Sequence, residues 1–241
     1  MDGLTGIDVV LALAIVVVGT AVQGTVGFGF ALVAAPVLAI IDARFAPGPI
    51  VFAGLLVAAV YAFVERADLD LREVKWILAG RVPGTALGGL AVAALSRTTI
   101  VVGIAVFVLA AVALSLAGAH VAATPGRLFA AGTVSGVMGT TASIGGPPVA
   151  LVYQRQPGPK LRSTLASYFV VGAAMSLAGP ALSGEFTGRD LRWGALLAPA
   201  VVAGAYASRW TAPFVDRSFL RPAVLAVAAV SALALLVTVV V

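Results

Sequence analysis

Two glycine-rich stretches sit inside long apolar runs of this chain and restrict its fold more than any other feature. The first is Gln23-Gly24-Thr25-Val26-Gly27-Phe28-Gly29-Phe30. The second is Gly136-Val137-Met138-Gly139-Thr140-Thr141-Ala142-Ser143-Ile144-Gly145-Gly146-Pro147-Pro148. Neither carries a charge. Glycine forms helix poorly, because fixing its backbone costs the most entropy. In hydrocarbon-grade sequence such clusters predict helices interrupted at membrane depth. The interruption leaves backbone N–H and C=O groups without helical partners, and lipid cannot supply any. It is stable only where protein or a water-filled cavity receives it.

Composition decides that the surroundings are lipid. Of 241 residues, 61% are hydrophobic and 10% charged, with a mean hydropathy of +1.10. A soluble domain carries roughly 25% charged residues, so this chain has too little polar sequence to coat a water-facing surface. Cysteine is absent, and the single histidine, His120, stands in a polar break. Disulfides and thiolate metal sites are excluded, and neither a metal nor an organic cofactor is expected. The net charge of +5 could suggest nucleic acid. The Lys and Arg residues fall in short loops between apolar runs, however, where anionic lipid places them. Met1-Asp2-Gly3-Leu4 shows no basic region ahead of the first apolar run, so no removable signal peptide is expected.

Apolar segments fall at about 7–22, 27–41, 47–64, 74–95, 99–117, 128–140, 144–153, 163–183, 191–208 and 220–240. A spanning helix needs about 20 residues, and the segments flanking each glycine cluster are shorter. Each such pair is either two short spans or a re-entrant hairpin. The expectation is about eight full spans plus two broken elements.

The two halves, 1–118 and 119–241, look duplicated within one membrane domain. Gly24, Gly27 and Pro36 recur as Gly136, Gly139 and Pro148, each 112 residues on. Asp70-Leu71-Arg72 recurs as Asp190-Leu191-Arg192, Gly84 as Gly204 and Arg97 as Arg217, each 120 residues on. The second half should therefore hold about eight extra residues, near Ser183–Gly188. The loops at 65–75, 118–127, 154–162 and 209–221 carry most of the Lys and Arg, including Arg66, Arg127, Lys160 and Arg162. They should be cytoplasmic, with both termini outside. Five segments per half would make the second repeat inverted. Inverted repeats with broken helices near the midplane are built into many secondary transporters, which bind substrate at half-helix ends.

The candidate site residues follow. Gly24, Gly27 and Gly29 allow turns and close approach, with Phe28 between them. Gln23 and Thr25 add hydrogen-bonding groups, as do Thr140, Thr141 and Ser143 beside Gly139 in the second cluster. Gly145-Gly146-Pro147-Pro148 can open a new helix, and the N–H groups of a helix start attract anions. The alternative is helix packing through small residues. Arg81 lies some six residues inside an apolar segment. Such a charge faces a cavity or a partner, or else snorkels back to the interface. Thr164, Ser167 and Tyr168 share a helix face and could line a pathway; capping and interfacial anchoring are the other reading. Trp76, Trp193 and Trp210 read as interface anchors. Asp42 and Glu65 read as loop charges, with proton coupling as a minor option.

Gly24 to Phe30 followed by Pro36 resembles the first-repeat signature of the sulfite exporter TauE/SafE family. Gly136 to Gly139 with Gly145-Gly146-Pro147-Pro148 is similar to its second signature, and Arg162-Ser163-Thr164-Leu165-Ala166 to the sequence that follows it. The resemblance covers essentially the whole chain. It implies a permease of the bacterial cytoplasmic membrane that works without ATP on small, often sulfur-containing anions such as sulfite or organosulfonates. Phe30 stands where many relatives continue with glycine, which narrows the first break.

The sequence thus predicts an all-α polytopic membrane protein that moves a small anion by alternating access, with protons as a coupling ion and lipid around it. An anion channel using the same site is the alternative. An intramembrane enzyme built on Ser143 is disfavoured, since no base stands near that serine in sequence. Small residues on several segments allow a homodimer.

Overall fold

The computed structural model describes residues 5–45, 48–66, 71–94, 96–116, 122–142, 145–153, 158–182, 184 and 186–211. It also describes the scattered positions 222, 225–226, 229–230, 233 and 236–237. These residues are almost entirely helical, with no strand among them. The helices are α1 (Gly6–Val26), α2 (Phe30–Ile41), α3 (Gly48–Val64), α4 (Leu71–Ala94), α5 (Arg97–Leu116), α6 (Pro125–Ala142), α7 (Gly146–Tyr153), α8 (Gly158–Leu182) and α9 (Gly188–Thr211). They match nine of the ten expected apolar segments. The tenth, 220–240, lies largely outside the described residues, and so does His120.

Both glycine clusters interrupt helices. Helix α1 opens on a capping box, in which Thr5 N–H donates to Asp8 Oδ2 at 2.9 Å and Asp8 N–H donates to Thr5 Oγ1 at 3.3 Å. It stops at Gly27, whose φ of +96° is left-handed, and Gly29 follows at +122°. Side chains with a Cβ rarely adopt such angles, so two glycines reset the chain direction within three residues. Helix α2 then starts at Phe30. In the second cluster α6 ends at Ala142 and α7 begins at Gly146.

Two helix pairs carry much of the packing, α4 against α6 and α1 against α9. Gly80, Gly84 and Gly88 of α4 face Phe129, Thr133 and Val137 of α6, while Gly132 and Gly136 of α6 face Ile77 and Arg81 of α4. The register rises together on both helices, so they run in the same direction. A Cβ at Gly80, Gly84 or Gly132 would lie only 1.9 to 2.1 Å from the facing carbonyl oxygen. Backbone here packs directly on backbone, as membrane helices do where no hydrophobic effect draws them together. Gly204 of α9 meets the Val17 carbonyl and Thr20 of α1 in a similar way.

The exterior is apolar. Ile7, Val10, Ile40, Phe63, Leu90, Leu182 and Val202 are all well exposed, the surface expected of a chain bathed in lipid. By length and composition α1 and Lys160–Leu182 could each cross a membrane, and α3 is a shorter apolar helix. The described ion pairs sit at helix ends. Arg162 Nε binds Glu65 Oε1 at 2.8 Å, and Lys160 Nζ binds Glu73 Oε1 at 3.0 Å. These pairs bring Glu65 and Glu73 next to Arg162 and Lys160, residues of two regions expected on one side. Asp42 pairs with Arg44 across a tight turn. The Arg44 hydrogen bond holds the Asp42 carboxyl below its ordinary pKa, so Asp42 stays ionised and locally tied.

One expectation is corrected. Trp193 does not anchor at an interface: it is buried, edge-on to Phe45 at 5.2 Å between ring centroids, whereas Trp76 and Trp210 are exposed. Helix α8 has 25 residues where α3 has 17, and it ends at Leu182, beside the stretch where extra length was expected.

Candidate functional site

Arg81 is the eleventh residue of α4, roughly 15 Å along the helix axis from its start at 1.5 Å per residue. Its side chain does not snorkel to an interface. The residue is 3% exposed, and three glycines make room for it. A Cβ at Gly139 would lie 2.7 Å from Nη2, one at Gly172 would lie 2.7 Å from Cζ, and one at Gly145 would lie 3.1 Å from Nη1. The guanidinium therefore lies where α4, α6, α8 and the second break converge.

Among the described residues, the hydrogen-bond partners of this guanidinium are all neutral. Nη1 donates to Tyr168 Oη at 2.6 Å and to Ser135 Oγ at 3.3 Å. Nη2 donates to the Gly172 carbonyl at 2.9 Å and to Ser176 Oγ at 3.0 Å. Tyr168 Oη donates in turn to Ser135 Oγ at 2.6 Å, and Ser135 Oγ donates to the Gly145 carbonyl. The second break is thus tied to Arg81 through a chain of hydroxyls. Arg81 Nε is buried and has no partner among the described residues. Among the described residues no carboxylate pairs with Arg81; Asp42, Glu65 and Glu73 are engaged with Arg44, Arg162 and Lys160. An uncompensated cation inside a membrane protein is costly, and such residues mark ion or substrate pathways.

Arg81 borders a cavity of about 80 Å³, room for a few waters or one small ion. Both broken elements reach it. The first contributes Gln23, Phe28, Gly29, Phe30, Ala31 and Leu32, and the second contributes Gly139, Gly145, Gly146 and Pro147. Ile50, Val51 and Gly54 of α3 and Phe169, Ala173 and Ser176 of α8 complete it. Phe30 is buried, with its ring near Gly54 and Gly19, and forms part of the wall.

The half-helix ends supply fewer donors than expected. Phe30 N–H, at the start of α2, already donates to Gln23 Oε1 at 3.3 Å. Helix α7 opens Gly146-Pro147-Pro148, and the prolines have no N–H to offer. Among the described residues the formal positive charge at the cavity is that of Arg81.

The other sequence candidates are spread around this centre. Tyr168 is fully buried and bonds Arg81, without itself lining the cavity. Gly24 accommodates Tyr61 and Ser208. Gly27 abuts Arg162. Thr25 and Thr141 donate to carbonyls one turn back in their own helices, Ala21 at 2.9 Å and Val137 at 2.8 Å. Thr140 has a buried hydroxyl with no partner and lies against Gly88 of α4. Ser167 is half-buried outside the cavity wall. Ser143 lies outside the described residues. Sequence reasoning missed Ser135, Gly172 and Ser176. Tyr168, Gly172 and Ser176 recur every four residues on α8, and Ser135 and Gly139 share that spacing on α6. That periodicity was the available signal.

No curated protein and no solved structure matches the chain. The family model of the sulfite exporter TauE/SafE matches residues 11–235, nearly the full length. With that match over a buried arginine and two interrupted helices, the chain belongs to the sulfite exporter TauE/SafE family, membrane transporters of sulfite or related anions.

Proposed function

We propose that the protein is a secondary transporter that carries a small, sulfur-containing anion, such as sulfite or an organosulfonate, across the cytoplasmic membrane by alternating access. The observation that carries this reading is Arg81: a buried guanidinium, held by four neutral partners, beside a cavity that both broken helices line. An anion entering this cavity replaces its lost hydration with a fixed cation and with nearby hydroxyls, at little reorganisation cost.

Alternation is supported by the packing. The contact of α4 with α6 has its counterpart in that of α9 with α1, as expected for two inverted repeats of one ancestral unit. Each repeat contributes one broken helix to the cavity. Rocking one repeat against the other would expose the same central site to either side. No nucleotide-binding loop of the Gly-x-x-x-x-Gly-Lys-Ser/Thr type occurs in the sequence, so the drive in this reading comes from the gradients of the anion and of protons.

The test is flux in proteoliposomes. Saturable movement of sulfite or a short organosulfonate is expected, and Arg81→Gln should abolish it while leaving the protein folded. No movement under any imposed gradient, or movement indifferent to Arg81→Gln, would overturn the proposal. Flux that never saturates and passes as single-channel current would favour a channel through the same cavity.

A further inference from the structure

We infer that the central site selects singly charged oxyanions and rejects dianions of the same size; this rests on the anion-site reading above. Among the described residues the site contains one fixed positive charge: Arg81 is 3% exposed, and no described carboxylate pairs with it and no second described Lys or Arg stands beside it along the cavity wall. A monoanion beside it forms a neutral pair. A dianion leaves a net negative charge among Phe28, Phe30, Ile50, Val51 and Phe169.

The scaling decides which anion wins. The cost of removing an ion from water rises with the square of its charge, whereas its attraction to one fixed cation rises only in proportion to the charge. Doubling the charge therefore quadruples the penalty and doubles the gain. Helix dipoles could close that gap only if both half-helix ends offered free donors. The first N–H of α2 is taken by Gln23, and α7 begins with two prolines after Gly146. A helix end contributes less, even in favourable sites, than desolvating an ion costs. The hydroxyls of Ser135, Tyr168 and Ser176 hold the guanidinium and add no formal charge.

Three tetrahedral probes of similar size test the rule: sulfate, a dianion; sulfamate, a polar monoanion; and methanesulfonate, an apolar monoanion. Binding to the purified full-length protein is measured by calorimetry at fixed ionic strength and neutral pH. Sulfamate and methanesulfonate should each bind at least ten times more tightly than sulfate. Sulfamate separates charge from apolarity, because it replaces one sulfate oxygen with another polar group. Arg81→Lys should weaken both monoanions while keeping their advantage over sulfate, since it retains one charge and loses the planar fork. Sulfate binding as tightly as sulfamate would sink the charge rule and leave the anion site standing. Binding of only methanesulfonate would also sink it, showing that the apolar wall selects rather than the charge. No binding of any probe to folded protein would overturn both the rule and the site beneath it.

Discussion

Helix α4 lies on α6, and helix α9 lies on α1, by the same means: glycine on one helix lets it approach the backbone of the other. Gly84 meets the Thr133 carbonyl, and Gly204, 120 residues further along, meets the Val17 carbonyl. Each pair then encloses buried polar groups with help from a tyrosine. Around α4 and α6 the group is Arg81 with Ser135, Tyr168 and Ser176. Around α1 and α9 it is Tyr61, with Oη 2.9 Å from the Thr20 carbonyl and 3.0 Å from Ser208 Oγ. The position matching Arg81 is Val201, buried in an apolar cluster. The proposed duplication accounts for the close helix contacts, but the buried charge lies in one half only. The difference separates what the helix packing needs from what the proposed anion site needs.

The largest effect should come from moving the charge to the wrong half. Val201→Arg places a cation among Val16, Leu197 and Ala200, in a cluster whose described members carry no charge to pair with it. A buried charge without partners costs several kcal/mol, against a total stability of about 5–15 kcal/mol. Little or no folded protein should be recovered, as judged by size-exclusion profile in detergent. A well-folded Val201→Arg protein would show that the two halves tolerate charge equally, and the distinction drawn above would fall.

Next come the glycines that the two pairs share. A Cβ at Gly84 would lie 2.1 Å from the Thr133 oxygen, and one at Gly204 would lie 2.6 Å from the Val17 oxygen. Both helix pairs must separate, and overpacking of this kind costs about 1–3 kcal/mol or more. Gly84→Ala should lower the thermal midpoint more than Gly204→Ala, because its clash is deeper. It also displaces α6, which carries Ser135 and Gly139, so it should weaken anion binding while Gly204→Ala leaves binding near wild type. Equal losses of binding would mean that the α1–α9 contact shapes the site as directly as α4 and α6 do.

These contacts also mark what the sequence could and could not tell. Apolar runs and the two glycine clusters placed the nine helices given above for the described residues, and both breaks, because helix length and backbone satisfaction in lipid are local constraints. Arg81 stood out as an isolated charge. Its burial could not be read locally, since it depends on room left by Gly139, Gly145 and Gly172 on other elements. The hydroxyls that hold it were harder still. Ser135 and Ser176 are unremarkable in sequence and acquire their roles only when α6 and α8 close around α4. The expectation of free amide donors failed at Phe30 for a similar reason. Gln23 lies seven residues away, and its side chain reaches that N–H only once the chain has turned at Gly27 and Gly29.

The smallest effect isolates the two tyrosines. Tyr61→Phe and Tyr168→Phe each remove one buried hydroxyl and keep the ring. A neutral hydrogen bond contributes about 1 kcal/mol and one to a charged group about 1.5–3 kcal/mol. Tyr168 accepts from Arg81 at 2.6 Å and donates to Ser135 at 2.6 Å, whereas Tyr61 meets only the neutral Thr20 carbonyl and Ser208 hydroxyl. Tyr168→Phe should therefore lower stability more and also reduce anion affinity about fivefold, since the guanidinium loses the hydroxyl that orients it; a loss of about 1 kcal/mol corresponds to that factor. Tyr61→Phe should cost about 1 kcal/mol of stability and leave affinity alone. Calorimetric binding alongside thermal unfolding separates the two readouts. If Tyr61→Phe weakens anion binding as much as Tyr168→Phe does, the neutral cluster of the first half takes part in recognition, and the asymmetry between the halves is confined to the charge itself.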